Sequence, residues 1–243
     1  MRTEITIVFD NYAYESGFPT LWGFACYVRL PHTEFLFDTG SNGRVLLQNL
    51  SRLGIDLKAA DSLVISHAHW DHIGGLDSVL ELHPGLDCFV PDSLSKNLVR
   101  DLKTQCGNVT VLREAPVKLL EGVYSTGEMG EAGEQSVVID LGDGLAVITG
   151  CAHPGVEAIA EKAIETHGKP VRLLLGGFHL MNRNASEIAA VIDTLKTLGV
   201  QYVCPTHCSG DLAIEMFEEA YGAHCLRGGT GRVIDLEALS PVR

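Results

Sequence analysis

Three histidines and one aspartate fall within six residues of the chain, at His67, His69, Asp71 and His72. The apolar run 63–65 directly before them has the length and branching of a buried strand. If the chain leaves that strand extended, His67 and His69 share one side, because side chains alternate along an extended chain. Both imidazoles can then bind one ion. Asp71 and His72 can bind a second ion from another direction, since the two glycines that follow allow a tight turn.

Neutral imidazole nitrogens and carboxylate oxygens are ligands that zinc and its first-row neighbours accept in proteins. A water held between two such ions loses its proton near neutral pH, and the hydroxide is then a nucleophile. The alternative is a set of ordinary histidines, each satisfied by a local hydrogen bond. The density of the cluster at the end of a strand favours the metal site. The stretch therefore predicts one or two divalent ions, with zinc first and manganese or iron as alternatives.

Three further histidines follow later apolar runs, each where a predicted strand ends. They are His153 after residues 145–148, His179 after residues 171–175 and His207 after residues 200–203. Loops converge at the carboxyl ends of strands while the strands stay rigid, so ligands bind there. We therefore expect these histidines beside the first cluster. Two glycines before His179 let a ligand approach the backbone, which favours a general acid or substrate clamp, with a satisfied surface histidine as the alternative.

The His-x-His-x-Asp-His run resembles the signature of the metallo-β-lactamase superfamily. Residues 36–40, with Asp38 at a strand end, are similar to the Asp-x-Gly turn of that family. Further similarity, to a branch that includes the methanopterin-pathway dihydropterin/ribofuranosylaminobenzene-phosphate synthase and uncharacterised metal-dependent hydrolases, lies in residues 9–11, 149–155, 176–180 and 206–210. The resemblance implies an α/β fold, the four-layer αββα sandwich of the metallo-β-lactamase type.

The same resemblance implies which residues hold each ion. One ion would be bound by His67, His69 and His153, and the other by Asp71, His72 and His207. Asp38 would lie behind the ligands and position the histidine loop, because metal-bound imidazoles need an acceptor for their other N–H. The alternative for Asp38 is a turn with local hydrogen bonds alone. Asp71 and His179 would take part directly in catalysis.

One position departs from the family pattern. A Gly-Asp pair normally ends the strand before His153, and its carboxylate bridges two metals. Here the pair is Gly150-Cys151. A thiolate can bind or bridge ions, but it is softer and favours zinc or iron over oxygen-loving ions. Cys151 is therefore a possible ligand, and a second ion is less secure than the first.

Predicted strands and helices alternate along much of the chain, which is typical of α/β architecture. The strands are predicted at residues 4–9, 23–29, 34–37, 59–65, 87–90, 109–113, 117–125, 135–140, 145–148, 171–175, 200–203 and 232–236. The helices are predicted at residues 43–53, 74–82, 93–102, 156–166, 186–198 and 211–221. We expect residues 1–243 to form a single domain, since a chain of this size can bury one large core.

Three connecting segments give more specific expectations. The polar and aromatic loop 11–20 could border the site. The Gly- and Glu-rich loop 127–134 is interpreted as a mobile surface loop, or as a lid over the metals. Residues 226–231 are rich in glycine but lack the Lys-Ser/Thr of a phosphate-binding loop, so they predict a hairpin into the final strand.

The composition of the chain disfavours several classes of partner. The net charge of −13 repels a nucleic-acid backbone, so nucleic acid is not expected as a substrate. No apolar stretch is long enough to span a membrane, and no signal peptide is evident at the N-terminus. The seven cysteines are an odd number without disulfide-framework spacing, which favours a reduced, cytoplasmic protein. The expected partner is a small molecule.

Together these features predict a metal-dependent hydrolase that uses metal-bound hydroxide on a small ester, lactone, amide or phosphoester. A first alternative is a metal-dependent transferase similar to the methanopterin-pathway synthase. It would need an aromatic pocket, for which the candidates are Tyr12, Tyr14, Phe18 and Trp22. A second alternative is a metal-binding protein without catalysis, which the missing bridging aspartate would favour. The histidines at 32, 83, 167 and 224 are assigned no chemistry.

Overall fold

Two β-sheets lie face to face in the computed structural model, which describes residues 3–239. Within these residues the thirteen strands are β1 (Glu4–Phe9), β2 (Ala25–Leu30), β3 (Thr33–Phe37), β4 (Ser62–Val64), β5 (Asp87–Pro91), β6 (Val109–Leu112), β7 (Val117–Leu120), β8 (Val123–Ser125), β9 (Val137–Asp140), β10 (Leu145–Thr149), β11 (Val171–Gly177), β12 (Tyr202–Thr206) and β13 (Val233–Asp235). The α-helices are α1 (Gly43–Arg52), α2 (Trp70–Ile73), α3 (Leu76–Leu82), α4 (Lys96–Leu102), α5 (Val156–His167), α6 (Ala185–Thr197) and α7 (Asp211–Tyr221).

Each sheet contains a block of parallel strands. The first sheet has the order β13-β1-β2-β3-β4-β5-β6, and the second has the order β12-β11-β10-β9-β8-β7. Strands β3 to β6 are parallel to one another, as are β10, β11 and β12. The loops after parallel strands emerge at the same edge of a sheet, so the segments after β3, β4, β10, β11 and β12 can meet.

Alternating side chains of the strands fill two different layers. In β3, Phe35 and Phe37 enter the core between the sheets, whereas Leu36 packs against α1 and α3. In β11, Leu173 and Leu175 point into the same central core, whereas Leu174 packs against α5, α6 and α7. Because both faces of these strands are covered, their sequences are continuously apolar. The result is four layers, αββα, which confirms the predicted fold class.

The helices cover the sheets with apolar stripes. In α6 the buried residues Ile188, Ile192 and Leu195 recur at helical spacing, and they pack on the outer face of the second sheet. The N-terminus of α6 is fixed by a capping box, in which Asn184 accepts a hydrogen bond from the Glu187 backbone and Glu187 accepts one from Asn184. No helix within residues 3–239 is both long and apolar enough to cross a membrane.

Several predicted elements differ from the structure. Residues 117–125 form a hairpin rather than one strand, because Gly122 has a φ of +70° and turns the chain between β7 and β8. The strand before the metal loop is only Ser62–Val64, since residues 57–59 form a 3-10 turn capped by the Asp56 side chain. The expected hairpin into the final strand is also wrong, because β13 pairs with β1 of the first sheet, which is distant from it in sequence.

Candidate metal centre

The first group of potential ligands comprises His67, His69 and His153. Their ligand atoms all lie within 4.8 Å of one another, and the distance from His67 Nε2 to His69 Nδ1 is 3.0 Å. The first two come from the loop after β4, and the third from the loop after β10. His67 is buried, His153 is half-buried and His69 is exposed, so this group faces the entrance of the site.

The second group comprises Asp71, His72, Cys151 and His207, all of them buried. Cys151 Sγ lies 3.2 Å from His72 Nε2 and 3.4 Å from His207 Nε2. Asp71 Oδ2 lies 3.3 Å from His207 Nε2 and 3.7 Å from His72 Nε2. The structure thus brings together every residue that the sequence analysis predicted as a ligand. Cys151 occupies the centre of the second group.

In each buried imidazole ring, Nδ1 forms a hydrogen bond with another group of the protein. His67 donates from Nδ1 to Ser66 Oγ at 2.8 Å, and His72 donates from Nδ1 to Asp38 Oδ2 at 2.7 Å. His207 donates from Nδ1 to Asn11 Oδ1 at 2.8 Å. In each case the Nε2 lone pair is left facing the other ligand atoms, which is the arrangement of metal-binding histidines.

The pKa values of His67, His72 and Asp71 favour the protonation states that a metal ion requires. Burial lowers the pKa of His67 to about 3 and that of His72 to about 4, so both rings are neutral. Burial acts to raise the pKa of Asp71, but its interactions with the His207 and His72 rings hold it well below its usual range. Neutral imidazoles, a carboxylate and a thiol that converge in this way fit divalent metal ions.

Asp38 lies behind the ligands and is fully buried. Its carboxylate accepts hydrogen bonds from the Ser66 backbone at 2.7 Å, from Ser66 Oγ at 2.6 Å and from the His72 ring. Burial raises the pKa of Asp38 to about 7, although the His67 imidazole and the Ser66 hydrogen bonds oppose that rise. Its contacts are not those of a turn with local hydrogen bonds alone, because they hold the loop that carries both groups of ligands.

Glu134 supports the candidate site through contacts that the sequence did not reveal. It is buried, and its carboxylate accepts hydrogen bonds from the backbones of Cys151, Ala152 and His153 at 2.8 to 2.9 Å. It also accepts one from His153 Nδ1 at 2.7 Å, which turns His153 Nε2 toward His67 and His69. Burial alone would raise the pKa of Glu134, but these hydrogen bonds hold it well below the usual range. The expectation of a surface loop is therefore wrong for this last residue of 127–134.

Asn11 and Asp10 support His207 from the end of β1. Asn11 accepts from the His207 ring and donates from Nδ2 to the His207 carbonyl at 3.3 Å. Asp10 is buried and accepts from Thr206 Oγ1 at 2.6 Å, and burial raises the pKa of Asp10 to about 6. The sequence similarity at residues 9–11 was the only signal for these roles, because the contacts join positions about 200 residues apart.

His179 lies beside the first group without belonging to it. Its ring centroid is 4.6 Å from that of His153, and its ring is exposed. A hydrogen bond with Cys208 raises the pKa of His179 above its ordinary value, although burial opposes that rise. With His153 and Arg183 it lines a cavity of about 420 Å³ beside the metal centre. A group bound there is within reach of a proton from the imidazole.

The backbone at the centre adopts unusual conformations. Among residues 3–239, the non-glycine residues with positive φ are Asp38, Ala152, His179 and His207, at 51° to 59°. All four follow strand ends at the metal centre. The left-handed region costs about 1 kcal/mol or more for such residues and persists where surrounding contacts impose it. The concentration of strain at these four positions is typical of a functional site.

The predicted aromatic pocket does not assemble as a unit. The Tyr14 ring lies 4.6 Å from the Arg232 guanidinium, and Phe18 packs against Gly231, so both fix the loop to the tail segment. Tyr12 donates to Asp211 at 2.8 Å. Trp22 differs from them because its ring contacts His207 at the metal centre, with centroids 4.9 Å apart.

Comparison with known proteins finds similarity to the superfamily that the sequence motifs resemble. The family model described as the metallo-beta-lactamase superfamily matches residues 23–86, which contain the His-x-His-x-Asp-His run and Asp38. The chain is 27% identical to the 7,8-dihydropterin-6-methyl-4-(beta-D-ribofuranosyl)-aminobenzene-5'-phosphate synthase of Methanocaldococcus jannaschii, over 94% of this chain and 95% of that relative.

Solved structures agree with the fold. A metal-dependent hydrolase of the β-lactamase superfamily superposes with a TM-score of 0.80 and 25% identity, over 96% of this chain and 99% of that chain. The metallo-β-lactamase fold protein YhfI from Bacillus subtilis superposes with a TM-score of 0.72 and 14% identity, over 97% and 100%, which shows the fold alone. In its sequence run, its four layers and the histidines at its strand ends, the chain is similar to proteins of the metallo-β-lactamase superfamily.

Proposed function

We propose that this protein is a metal-dependent hydrolase of a small molecule. The observation that carries the proposal is the pair of adjoining ligand groups, whose buried imidazoles turn Nε2 inward because their Nδ1 atoms are engaged by the protein. His67, His69 and His153 would hold one ion, and Asp71, His72, Cys151 and His207 would hold the other. When bound, the ions would supply an acidified water and positive charge to stabilise a developing oxyanion.

The side chains of the site have separable roles in this proposal. Asp71 would keep the second ligand group anionic and accept a hydrogen bond from the attacking species. His179 would donate a proton from its imidazole to the leaving group, since its ring is exposed beside the cavity and groups with the Cys151 and Cys208 thiols rather than with the other histidines. Asp38 and Glu134 would act through the ligands by fixing the His72 and His153 rings.

The proposed substrate is a small ester, lactone, amide or phosphoester. A net charge of −13 disfavours nucleic acid, and the cavity of about 420 Å³ beside His179 is of a size for small ligands. We also propose zinc as the preferred ion, because the Cys151 thiol lies within the second group. All seven cysteines are free, which supports work in a reducing compartment such as the cytoplasm.

A transferase is the second candidate, because the relative from M. jannaschii is named as a synthase. Such a reaction would use the same ions to orient a substrate while water is kept from attacking it. The two candidates differ in the fate of solvent oxygen. Turnover in ¹⁸O-labelled water should place the label in the product of a hydrolase, and should leave the product of a transferase unlabelled.

Elemental analysis together with a turnover screen tests the proposal. Protein purified without chelator should contain about one to two equivalents of zinc. His69→Ala and His207→Ala should each lose metal and turnover, because each removes a ligand from a different group. His83→Ala is the matched control, since the His83 ring bonds to the Ala60 carbonyl far from the ligands. Unchanged metal content in both ligand variants would refute the proposal, and metal without any turnover would favour a non-catalytic binding protein.

A further inference from the structure

Two of the seven cysteines lie outside the apolar layers of the protein. Cys151 and Cys208 are only 4% and 3% exposed, yet neither belongs to the apolar clusters between the sheets or under the helices. The cysteines that do pack in those clusters are Cys26, Cys88, Cys106, Cys204 and Cys225. A buried free cysteine usually behaves as a small apolar residue, so the two exceptions require another explanation.

The exposed ring of His179 forms a group with these two thiols. The ligand atoms of Cys151, His179 and Cys208 all lie within 4.8 Å of one another. The Cys208 thiol forms hydrogen bonds with both the Cys151 thiol and the His179 ring. We call the three side chains the third ligand group. Cys151 is shared with the second group, whereas His179 and Cys208 belong to neither of the groups described above.

The two loops that carry His179 and Cys208 are fixed to each other. They follow β11 and β12, which are parallel neighbours in the second sheet. The Phe178 backbone donates to Ser209 Oγ at 3.1 Å, and the Met181 backbone donates to the Cys208 carbonyl at 3.3 Å. The protein itself therefore holds the ring and the thiol in place, which lowers the entropic cost of binding an ion between them.

The backbone also makes room for the two thiols. A Cβ atom at Gly177 would lie 2.6 Å from Cys208 Sγ and 2.5 Å from the Gly150 carbonyl, so a side chain there would push the loops apart. The Cys208 thiol donates to the Cys151 carbonyl at 3.5 Å across this gap. His179 has a left-handed φ of 53°, which persists where surrounding contacts impose it. The close approach of the three side chains is thus built into the ends of the strands.

We propose that Cys151, His179 and Cys208 form a further metal site, which binds a thiophilic divalent ion such as zinc or cadmium. Two sulfurs and one imidazole nitrogen are a ligand set that zinc accepts, and they leave a fourth position open. Sulfur ligands select such ions over magnesium, calcium or manganese. Each thiol releases its proton to solvent as the ion binds. A thiolate can bridge two ions, so Cys151 can serve this site and the second group together.

An ion at this site would withdraw His179 from the proposed reaction. The site adds to the proposed function, and only this consequence for turnover rests on that function. An imidazole bound to an ion cannot take up a second proton, and its remaining N–H is too weak an acid to protonate a leaving group. Excess zinc should therefore inhibit an enzyme whose first and second ligand groups need zinc.

The number of bound ions in matched variants tests the site. Protein purified without chelator is equilibrated with Cd²⁺ at a free concentration that just saturates the native protein, and total bound zinc and cadmium are measured. We expect the native protein to hold about one equivalent more than Cys208→Ser or His179→Ala. Loss of a ligand should weaken the site by about 100-fold or more, because loss of a residue that only orients a ligand costs about 10- to 100-fold.

A control and a second readout accompany the count. Cys225→Ser should keep the native number of ions, since that thiol packs among apolar residues outside the three groups. The near-ultraviolet absorption of thiolate–cadmium bonds should fall in Cys208→Ser and stay unchanged in Cys225→Ser. His179→Ala alters an exposed ring, so it decides the question even if the buried substitution Cys208→Ser prevents folding.

Equal numbers of ions in the native protein and in both test variants would overturn the inference. An ion that is lost from one folded variant but retained in the other would also overturn it, because all three side chains are needed. Turnover is measured separately at low and at excess zinc, each protein relative to its own low-zinc rate. Inhibition that is equal in native protein and Cys208→Ser would refute the effect on His179. Absence of turnover in protein that retains its ions would remove the hydrolase, while the count of ions would still decide the site.

Discussion

At the scale of single residues, the sequence indicated the candidate ligands more clearly than the residues that hydrogen-bond to them. His67, His69, Asp71 and His72 were predictable because they are neighbours in one loop and their types have few other uses together. Glu134 was not, because nothing local distinguishes it from Glu128 and Glu131 of the same loop. Its role depends on a tertiary contact with the backbone of residues 151–153.

Glu134→Gln tests the supporting role of that carboxylate. The amide keeps one acceptor oxygen but turns an N–H₂ group toward backbone N–H donors, so His153 should lose its fixed orientation. We expect the affinity for the ion held by the first ligand group to fall by about 10- to 100-fold, as judged by metal titration. Glu131→Gln, at an exposed position of the same loop, is the control. Equal affinities in the two variants would show that Glu134 does not position the ligand.

Cys151→Asp tests the consequence of the thiol at the centre of the second group. A carboxylate would restore the ligand that the family pattern normally has there, and it is harder than a thiolate. We expect competition between zinc and manganese to shift toward manganese in the variant, measured as the ratio of bound metals at fixed free concentrations. Cys225→Ser, at a half-buried cysteine outside the ligand groups, should leave the ratio unchanged. An unchanged ratio in Cys151→Asp would exclude the thiol as a ligand that selects the ion.

At the scale of elements, hydrophobic patterns located most strands and helices but not their pairing. The helical spacing of apolar residues in α6 and the apolar run of β11 were sufficient to predict both elements, because each pattern lies within one short segment of the chain. The partner of β13 was not predictable, since its pairing with β1 joins two strands that are far apart in sequence. The turn at Gly122 was missed because a single glycine inside an apolar run has several explanations.

Close approach of the strand ends is the element-level requirement of the site. A side chain at Gly150, after β10, would clash with Ser66, after β4. Gln135 reinforces the same junction, because its side chain donates to the Ile65 carbonyl at 2.7 Å and its backbone donates to Ser66 O at 3.0 Å. The two sheets are thus joined where the ligands converge.

Gly150→Ala should therefore damage both the fold and the site. We expect the free energy of unfolding to fall by about 1–3 kcal/mol, as measured by denaturant titration, because the added methyl must displace Ser66 or its strand. Ion binding by the first ligand group should weaken as well, since Ser66 orients His67. Gly144→Ala is a milder control, because the nearest atom would lie 3.2 Å away at the Pro170 carbonyl. If the two variants are equally stable, the junction is not closely packed.

At the scale of the whole molecule, the candidate metal centre lies where the two halves of the sandwich meet. The first sheet supplies Asn11, Asp38 and the loop of residues 66–72, and the second supplies Cys151, His179 and His207. The sequence indicated this convergence through its repeated pattern of a histidine after an apolar run. It could not show that Cys151 lies between His72 and His207, because that position depends on how the sheets stack.

The most direct test is an anomalous X-ray diffraction measurement on crystals of the metal-loaded protein, collected at the absorption edge of the bound metal. The two-ion assignment predicts two peaks: one among His67, His69 and His153, and the other among Asp71, His72, Cys151 and His207. The absence of any peak at these side chains, or ions bound by other residues instead, would contradict it.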